Sequence, residues 1–212
     1  MARIVTIAQR KGGVGKTSIA AHMASALAGP SCRVGLIDLD PQESLAKWYG
    51  MREGRFEDKE DFIDLVLASG WRAQSEIARL ARKVDILLLD TPPHMEAEAK
   101  AAIKISDFVL VPLQLSPMDV WATWATLEII DQLNRDALMV LNRVPARARL
   151  SDALVSELRS QNLPLAKTTL GNRTAFAASL LSGLGVTEQQ PRSLAAAEMR
   201  LLSGEVVDQL PN

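Results

Sequence analysis

Seven consecutive residues, Lys11-Gly12-Gly13-Val14-Gly15-Lys16-Thr17, constrain this chain more than any others. They follow a short, mostly apolar run at 4–8. They lead into a stretch at 16–28 rich in Ala, Ile, Met and Leu, which reads as a helix ending at Gly29-Pro30. A strand that turns through glycines into a helix makes an anion cradle. Gly12, Gly13 and Gly15 let successive backbone N–H groups, Val14's included, point inward at phosphate oxygens. The helix N-terminus beginning near Lys16 adds partial positive charge. In that frame Lys16 reaches the β- and γ-phosphates, the Thr17 hydroxyl binds magnesium, and Ser18 contacts the α-phosphate. The standard pattern G-x-x-x-x-G-K-[ST] is broken at its first position, where Arg10 stands.

The rest of the chain alternates apolar runs with helical patterns. Strands are predicted at 4–8, 34–39, 84–89, 108–113 and 138–141, with a weaker one at 165–170. Helices are predicted near 43–49, 60–68, 72–82, 95–105, 118–133, 151–160, 174–182 and 192–209. Strands that are aliphatic throughout, rather than alternating, are buried on both faces. The alternation therefore predicts one doubly wound α/β domain over 1–212, with a mainly parallel sheet, right-handed crossovers and helices on both faces. Ligands in such sheets bind beyond the carboxyl ends of the strands.

Two carboxylate segments fall there. One strand ends Ile37-Asp38-Leu39-Asp40-Pro41-Gln42, and another ends Leu89-Asp90-Thr91-Pro92-Pro93. Asp90, after a run of leucines, suits an acid that holds magnesium through water. Asp40 is placed to orient or deprotonate an attacking water. Asp38 lies two residues earlier on the same side of an extended chain and supports the magnesium shell. Strand-end aspartates also serve as helix caps, and that reading stays open for each of them taken alone.

The segment Lys11-Gly12-Gly13-x-Gly15-Lys16-Thr17 resembles the deviant Walker A box of the ParA/MinD ATPases. D-L-D-P-Q and L-L-L-D-T-P-P resemble that family's next two signature segments, in the same order. The resemblance implies an ATPase using ATP and Mg2+, with Asp40 as the hydrolytic switch residue and Asp90 as the Walker B acid. It implies a homodimer closed around ATP, in which Lys11 contacts phosphates held by the other subunit, much as an arginine finger does. It implies that Asn142, at a strand end, recognises the adenine edge; a plain turn asparagine is the alternative. It implies nonspecific DNA binding through basic residues of the C-terminal half and hydrolysis stimulated by a cargo-associated activator protein. The cargo would be a plasmid, a chromosome region or a protein cluster. The small, single-domain members are the best match, since the phosphate-loop strand stands at the start of the given sequence without a preceding DNA-binding domain.

Charge is distributed to fit. The 212 residues carry a net charge of -1, but seven Lys and Arg face three Asp and Glu between 142 and 192. Arg143, Arg147, Arg149, Lys167, Arg173 and Arg192 make up most of this region, and Arg147, Arg149, Lys167 and Arg173 are the candidate DNA contacts. A solvated helix surface is the competing account. A single Cys32 excludes a disulfide framework and a cysteine-held cluster within one chain. The longest stretch without Asp, Glu, Lys or Arg, 17–32, has 16 residues, and 174–187 has 14, both short of a membrane span. The expectation is a cytoplasmic, nucleoid-associated protein without membrane contact. A membrane-cycling ATPase of the MinD kind would need a basic amphipathic tail. Residues 194–212 instead carry Glu198, Glu205 and Asp208 against Arg200. A small-molecule ligase or kinase on the same scaffold would need a substrate constellation that the sequence does not display. Trp121 and Trp124, three apart on one helix, read as core or groove packing, with a dimer face as the alternative. His22 and His94 show no metal-ligand spacing.

Overall fold

The computed structural model describes residues 1–56, 60–93, 97–146, 155, 156, 158, 160 and 163–211. Six strands form one sheet: β1 (Arg3–Ile7), β2 (Val34–Asp38), β3 (Ile63–Leu67), β4 (Ile86–Asp90), β5 (Phe108–Leu113) and β6 (Ala137–Leu141), in the order β3-β2-β4-β1-β5-β6. All five neighbouring pairs are parallel. Helices α1 (Lys16–Leu27), α2 (Ser44–Phe56), α3 (Ala73–Leu80), α4 (Ala97–Ile105) and α5 (Pro117–Gln132) connect them. After β6 come α6 (Thr174–Leu180), α7 (Val186–Gln189) and α8 (Leu194–Val207).

The aliphatic runs are central because they can be covered twice. Leu87, Leu88 and Leu89 of β4 are fully buried, with Leu88 facing the α1 side and its two neighbours facing the α3 side. Each such leucine is worth about 1.5–3 kcal/mol relative to exposure. The register sets the ends of the strands level: Ile7 pairs with Asp90, and Asp38 pairs with Asp90 from the other side. The phosphate loop and both carboxylate segments therefore leave the sheet at one edge.

Two predicted elements are corrected. Residues 60–68 are not helical; they contain β3, which pairs with β2 from Val34↔Ile63 to Asp38↔Leu67. Polar residues Glu60, Asp61 and Asp64 give the segment a helical spacing. An edge strand covered on one side tolerates them, and Asp64 meets Arg33 of the neighbouring strand end at 2.8 Å. Residues 165–170 do not form a strand either. Isolated bridges, Met139↔Leu165 and Val144↔Gly171, tie the segment to β6 and its exit, and the Ala166 and Leu170 amides donate to the Met139 and Leu141 carbonyls of β6 at 2.8 Å each. The Lys167 and Thr168 amides donate to Glu205 of α8 at 2.8 Å each, and the Gly171 amide to Glu198 at 3.1 Å. Two carboxylates on one helix thus take up amides that β6 does not. The helix expected at 151–160 lies largely outside the described residues, as does His94.

A second charged anchor lies on the other flank. Arg52 of α2 is 2% exposed, binds Asp61 and Glu188 through four hydrogen bonds of 2.7–2.9 Å, and has Phe56 packed 4.3 Å from its guanidinium carbon. A buried guanidinium is tolerable only when its donors are satisfied in this way. The bond to Glu188 joins α2 to α7.

Candidate functional site

The phosphate loop leaves β1 at Ala8 and re-enters regular structure at Lys16. Gly13 and Gly15 adopt φ of 77° and 99°, a left-handed region that a side chain disfavours. At Gly15 a Cβ would also run into the Asn142 amide. The helix α1 starts without a side-chain cap and without an acid in its first turn, so its leading N–H groups are left for an anion.

Lys16 is buried, and its ammonium donates to the Gln9 carbonyl at 3.3 Å. Burial lowers its pKa, partly offset by Asp90 and Asp40. Thr17 donates its hydroxyl to Asp90 Oδ2 at 2.6 Å. The other oxygen, Asp90 Oδ1, is buried without a hydrogen-bond partner. Burial pushes the Asp90 carboxyl up to about 7, eased by the Thr17 hydrogen bond and raised again by the Asp38 charge. An orphaned carboxylate oxygen beside a threonine hydroxyl and a phosphate cradle is the donor set that a magnesium nucleotide completes. Among the described residues no three His, Cys, Asp or Glu converge into a metal cluster.

Asp38 is buried and already engaged. Its Oδ1 accepts from the Asp40 amide, and its Oδ2 accepts from the Leu45 and Ala46 amides at the start of α2, all at 3.1 Å. The cap reading is realised there, beside the magnesium reading. Asp40 is half-buried and accepts the Gln42 amide at 2.9 Å, so its loop is a short turn against the sheet edge. Asn142 donates to the Val14 carbonyl at 2.7 Å and accepts from the Arg143 amide at 2.9 Å, which leaves one N–H and one lone pair. It borders a cavity of about 590 Å³ that runs from Ser18 past Gly171 to Phe176.

Several positions gain partners that the sequence did not reveal. Lys11 meets Asp119 at 2.8 Å within the same chain. Asp119 sits in the first turn of α5, where Ser116 caps the helix. Gln9, 1% exposed, donates to Thr123 Oγ1 at 2.9 Å and accepts from Thr126 Oγ1 at 2.6 Å, so α5 is tied to the root of the loop. The i,i+4,i+7 spacing of Asp119, Thr123 and Thr126 toward one side was the available signal. Trp121 and Trp124 are corrected: they lie on the outer face of α5, 65% and 39% exposed, because its inner face is occupied by these polar contacts. Arg173 is bound to Glu198 at 2.5–3.0 Å, and Lys167 is exposed. Arg147 and Arg149 lie outside the described residues.

The fold and the loop define a P-loop protein of the ParA/MinD type. The chain belongs to the VirC1 family, whose profile matches residues 2–209. It is 29% identical over 213 residues to the maintenance of carboxysome distribution protein A of Halothiobacillus neapolitanus, covering 96% of this chain and 95% of that protein. It is 24% identical to the sporulation initiation inhibitor protein Soj of Bacillus subtilis, covering 97% of this chain and 98% of Soj. Among solved structures it superposes on a Cyanothece McdA variant in complex with ATP, with a TM-score of 0.79, 18% identity, and coverage of 98% of this chain and 96% of that one. The septum site-determining protein MinD of Pyrococcus horikoshii, complexed with Mg-ADP, gives 0.77 at 19% identity, with coverage of 97% and 96%.

Proposed function

We propose that this protein is a ParA-like ATPase that positions or segregates a cargo. The observation that carries the reading is the convergence of Lys16, Thr17 and the half-satisfied Asp90 on a glycine cradle whose leading N–H groups have no cap. Matches along nearly the whole chain to proteins named for carboxysome distribution and sporulation control support the positioning role.

In this reading the loop amides and Lys16 hold the triphosphate of ATP, and Thr17 and Asp90 hold magnesium. Magnesium held there would supply positive charge against the transferring phosphoryl group. Asp40 orients the attacking water from its turn at the edge of β2. Lys16 exchanges the Gln9 carbonyl for phosphate oxygens, which are better acceptors. Lys11 leaves Asp119 to reach the nucleotide of a second copy, so ATP occupancy and dimerisation are coupled. The dimer holds DNA nonspecifically through basic residues, of which Lys167, Arg147 and Arg149 are the candidates; Arg173 takes part only by releasing Glu198. A cargo-associated activator stimulates hydrolysis, and the place of work is the nucleoid. The tail does not favour a membrane role: Ala195, Ala196, Met199, Leu202 and Val206 of α8 are buried in the core with α1. Among the described residues, no helix is long and apolar enough to cross a membrane.

The test is light scattering with and without ATP, beside ATP binding and turnover, for the wild type, Lys16→Ala and Lys11→Ala. Lys16→Ala loses nucleotide binding. Lys11→Ala binds ATP and stays single. A wild-type chain that stays single at saturating ATP overturns the reading.

A further inference from the structure

The tip of the phosphate loop is held from outside by side chains that no motif includes. The Gly13 carbonyl, turned away from the cradle, accepts two hydrogen bonds: one from Gln114 Nε2 at 3.1 Å and one from Arg143 Nη1 at 3.3 Å. The next carbonyl, Val14, accepts from Asn142 Nδ2 at 2.7 Å. Gln114 follows the last residue of β5, while Asn142 and Arg143 follow the last residue of β6. Two adjacent strand ends therefore reach across to two consecutive peptides of the loop.

The geometry of Arg143 has a cost that needs a reason. Its φ is 54°, the left-handed region, where an arginine is disfavoured. The left-handed turn puts Asn142 Oδ1 on the Arg143 amide and sends the guanidinium back over the loop rather than out to solvent. A peptide whose carbonyl is fixed outward has its neighbouring N–H groups fixed inward, so pulling on the Gly13 and Val14 carbonyls orients the cradle before any anion arrives. Glycines make the loop able to take this shape, and they equally let it leave. A loop with two glycines at positive φ loses much entropy on ordering, and external hydrogen bonds reduce the disorder that a ligand must remove.

We propose that Gln114 and Arg143 are positioning residues for nucleotide binding, acting together on the Gly13 carbonyl to keep the phosphate loop open. The inference rests on the proposed nucleotide site. It concerns the loop's shape and not a contact to one phosphate, so ADP and ATP depend on it alike. Because two donors share one acceptor, each covers for the loss of the other.

The experiment is fluorescence titration with ADP and with ATP, in magnesium, of the full chain and of Gln114→Ala, Arg143→Ala, Arg143→Lys and the double alanine variant. Each single alanine change weakens both nucleotides about threefold, and the double change weakens them about thirtyfold, more than the product of the two. Turnover at saturating ATP stays within about twofold, placing the effect in KM rather than kcat. Arg143→Lys, which keeps a donor, recovers most of the loss. Circular dichroism melts establish that all variants are folded. A loss confined to ATP makes Arg143 a ligand of the terminal phosphate and overturns the proposal. So does a double variant equal to the product of the singles, or one that binds like wild type. A wild-type chain without affinity for either nucleotide defeats the proposed function itself, which separates the two failures.

Discussion

The two flanks of the sheet are held together by different means. Between β3 and β5, backbone ladders and fully buried aliphatic side chains do the holding: every strand there has parallel neighbours in register, and Val5, Leu36, Leu88 and Leu110 have no exposure. Beyond β6, the chain runs alongside the sheet without joining it. The Lys167, Thr168 and Gly171 amides go to Glu205 and Glu198 of α8, while the Ala166 and Leu170 amides reach β6 carbonyls through scattered bonds rather than a continuous ladder. The first arrangement fixes the end of the sheet where phosphate chemistry needs accuracy. The second leaves the wall of the 590 Å³ cavity, which includes Gly171 and Arg173, held by a few scattered backbone bonds and by two carboxylates. Side-chain anchors can be let go one at a time, whereas a ladder opens as a unit.

That contrast can be broken most forcefully in the ladder half. Leu88→Ala removes a side chain packed between β1, β2 and α1, and should cost about 2–5 kcal/mol in denaturant unfolding. A cost under about 1 kcal/mol would show that the central layer is not the source of rigidity. His22 links the halves, because its Nδ1 accepts the Val186 amide of α7 at 3.0 Å from within α1. Burial lowers its pKa to about 4, with the Phe176 backbone pulling the other way. The folded chain thus refuses a proton that the unfolded chain takes up between about pH 6.5 and 4. Stability should fall across that window as pH drops, by about 3 kcal/mol in all. His22→Gln keeps an acceptor and does not titrate, so its pH–stability curve should be flatter there; an unchanged slope would assign the titration to another group.

In the carboxylate-held flank, Glu205→Ala strands the amides of Lys167 and Thr168 and should cost about 1–3 kcal/mol. The more telling readout is hydrogen exchange. The Lys167, Thr168 and Gly171 amides should speed up while Leu88 and Val5 stay protected; a uniform rise across both regions would mean that they open together. Glu205 titrates below the usual glutamate value in the fold, held down by the Thr168 hydroxyl and the two amides. Its contribution is therefore present above the unfolded pKa and lost as pH falls through the lowered one. The smallest effect belongs to the exposed Arg33–Asp64 pair at the β3 edge. Asp64→Asn should change stability by less than about 1 kcal/mol, with salt reducing even that.

Legibility in the sequence followed the same division. Residues that act through the backbone path of the chain were readable: the glycine loop, the aliphatic strands, and Asp38, Asp40 and Asp90 at strand ends all stand where their neighbours in sequence place them. Residues that act across the fold were not. Nothing in the spacing of Glu198 and Glu205 announces that they take the amides of Lys167, Thr168 and Gly171. Lys11 and Asp119, 108 positions apart, show their bond only once β1 and β5 lie side by side. The β3 segment misled because an edge strand with three carboxylates near it carries the polar pattern of a surface helix. Trp121 and Trp124 misled for the opposite reason, since large aromatics suggest interior while threonines and an aspartate took the inner face of α5.

The guanidinium of Arg52 has a consequence for how the molecule comes apart. Its clasp on Glu188 stitches the fourth element of the chain to its next-to-last helix, so α2 cannot detach while the final thirty or so residues stay docked. Heating should therefore produce a single melting event, and clipping the chain ahead of α7 would strip a buried cation of two of its four carboxylate bonds rather than release a dispensable tail.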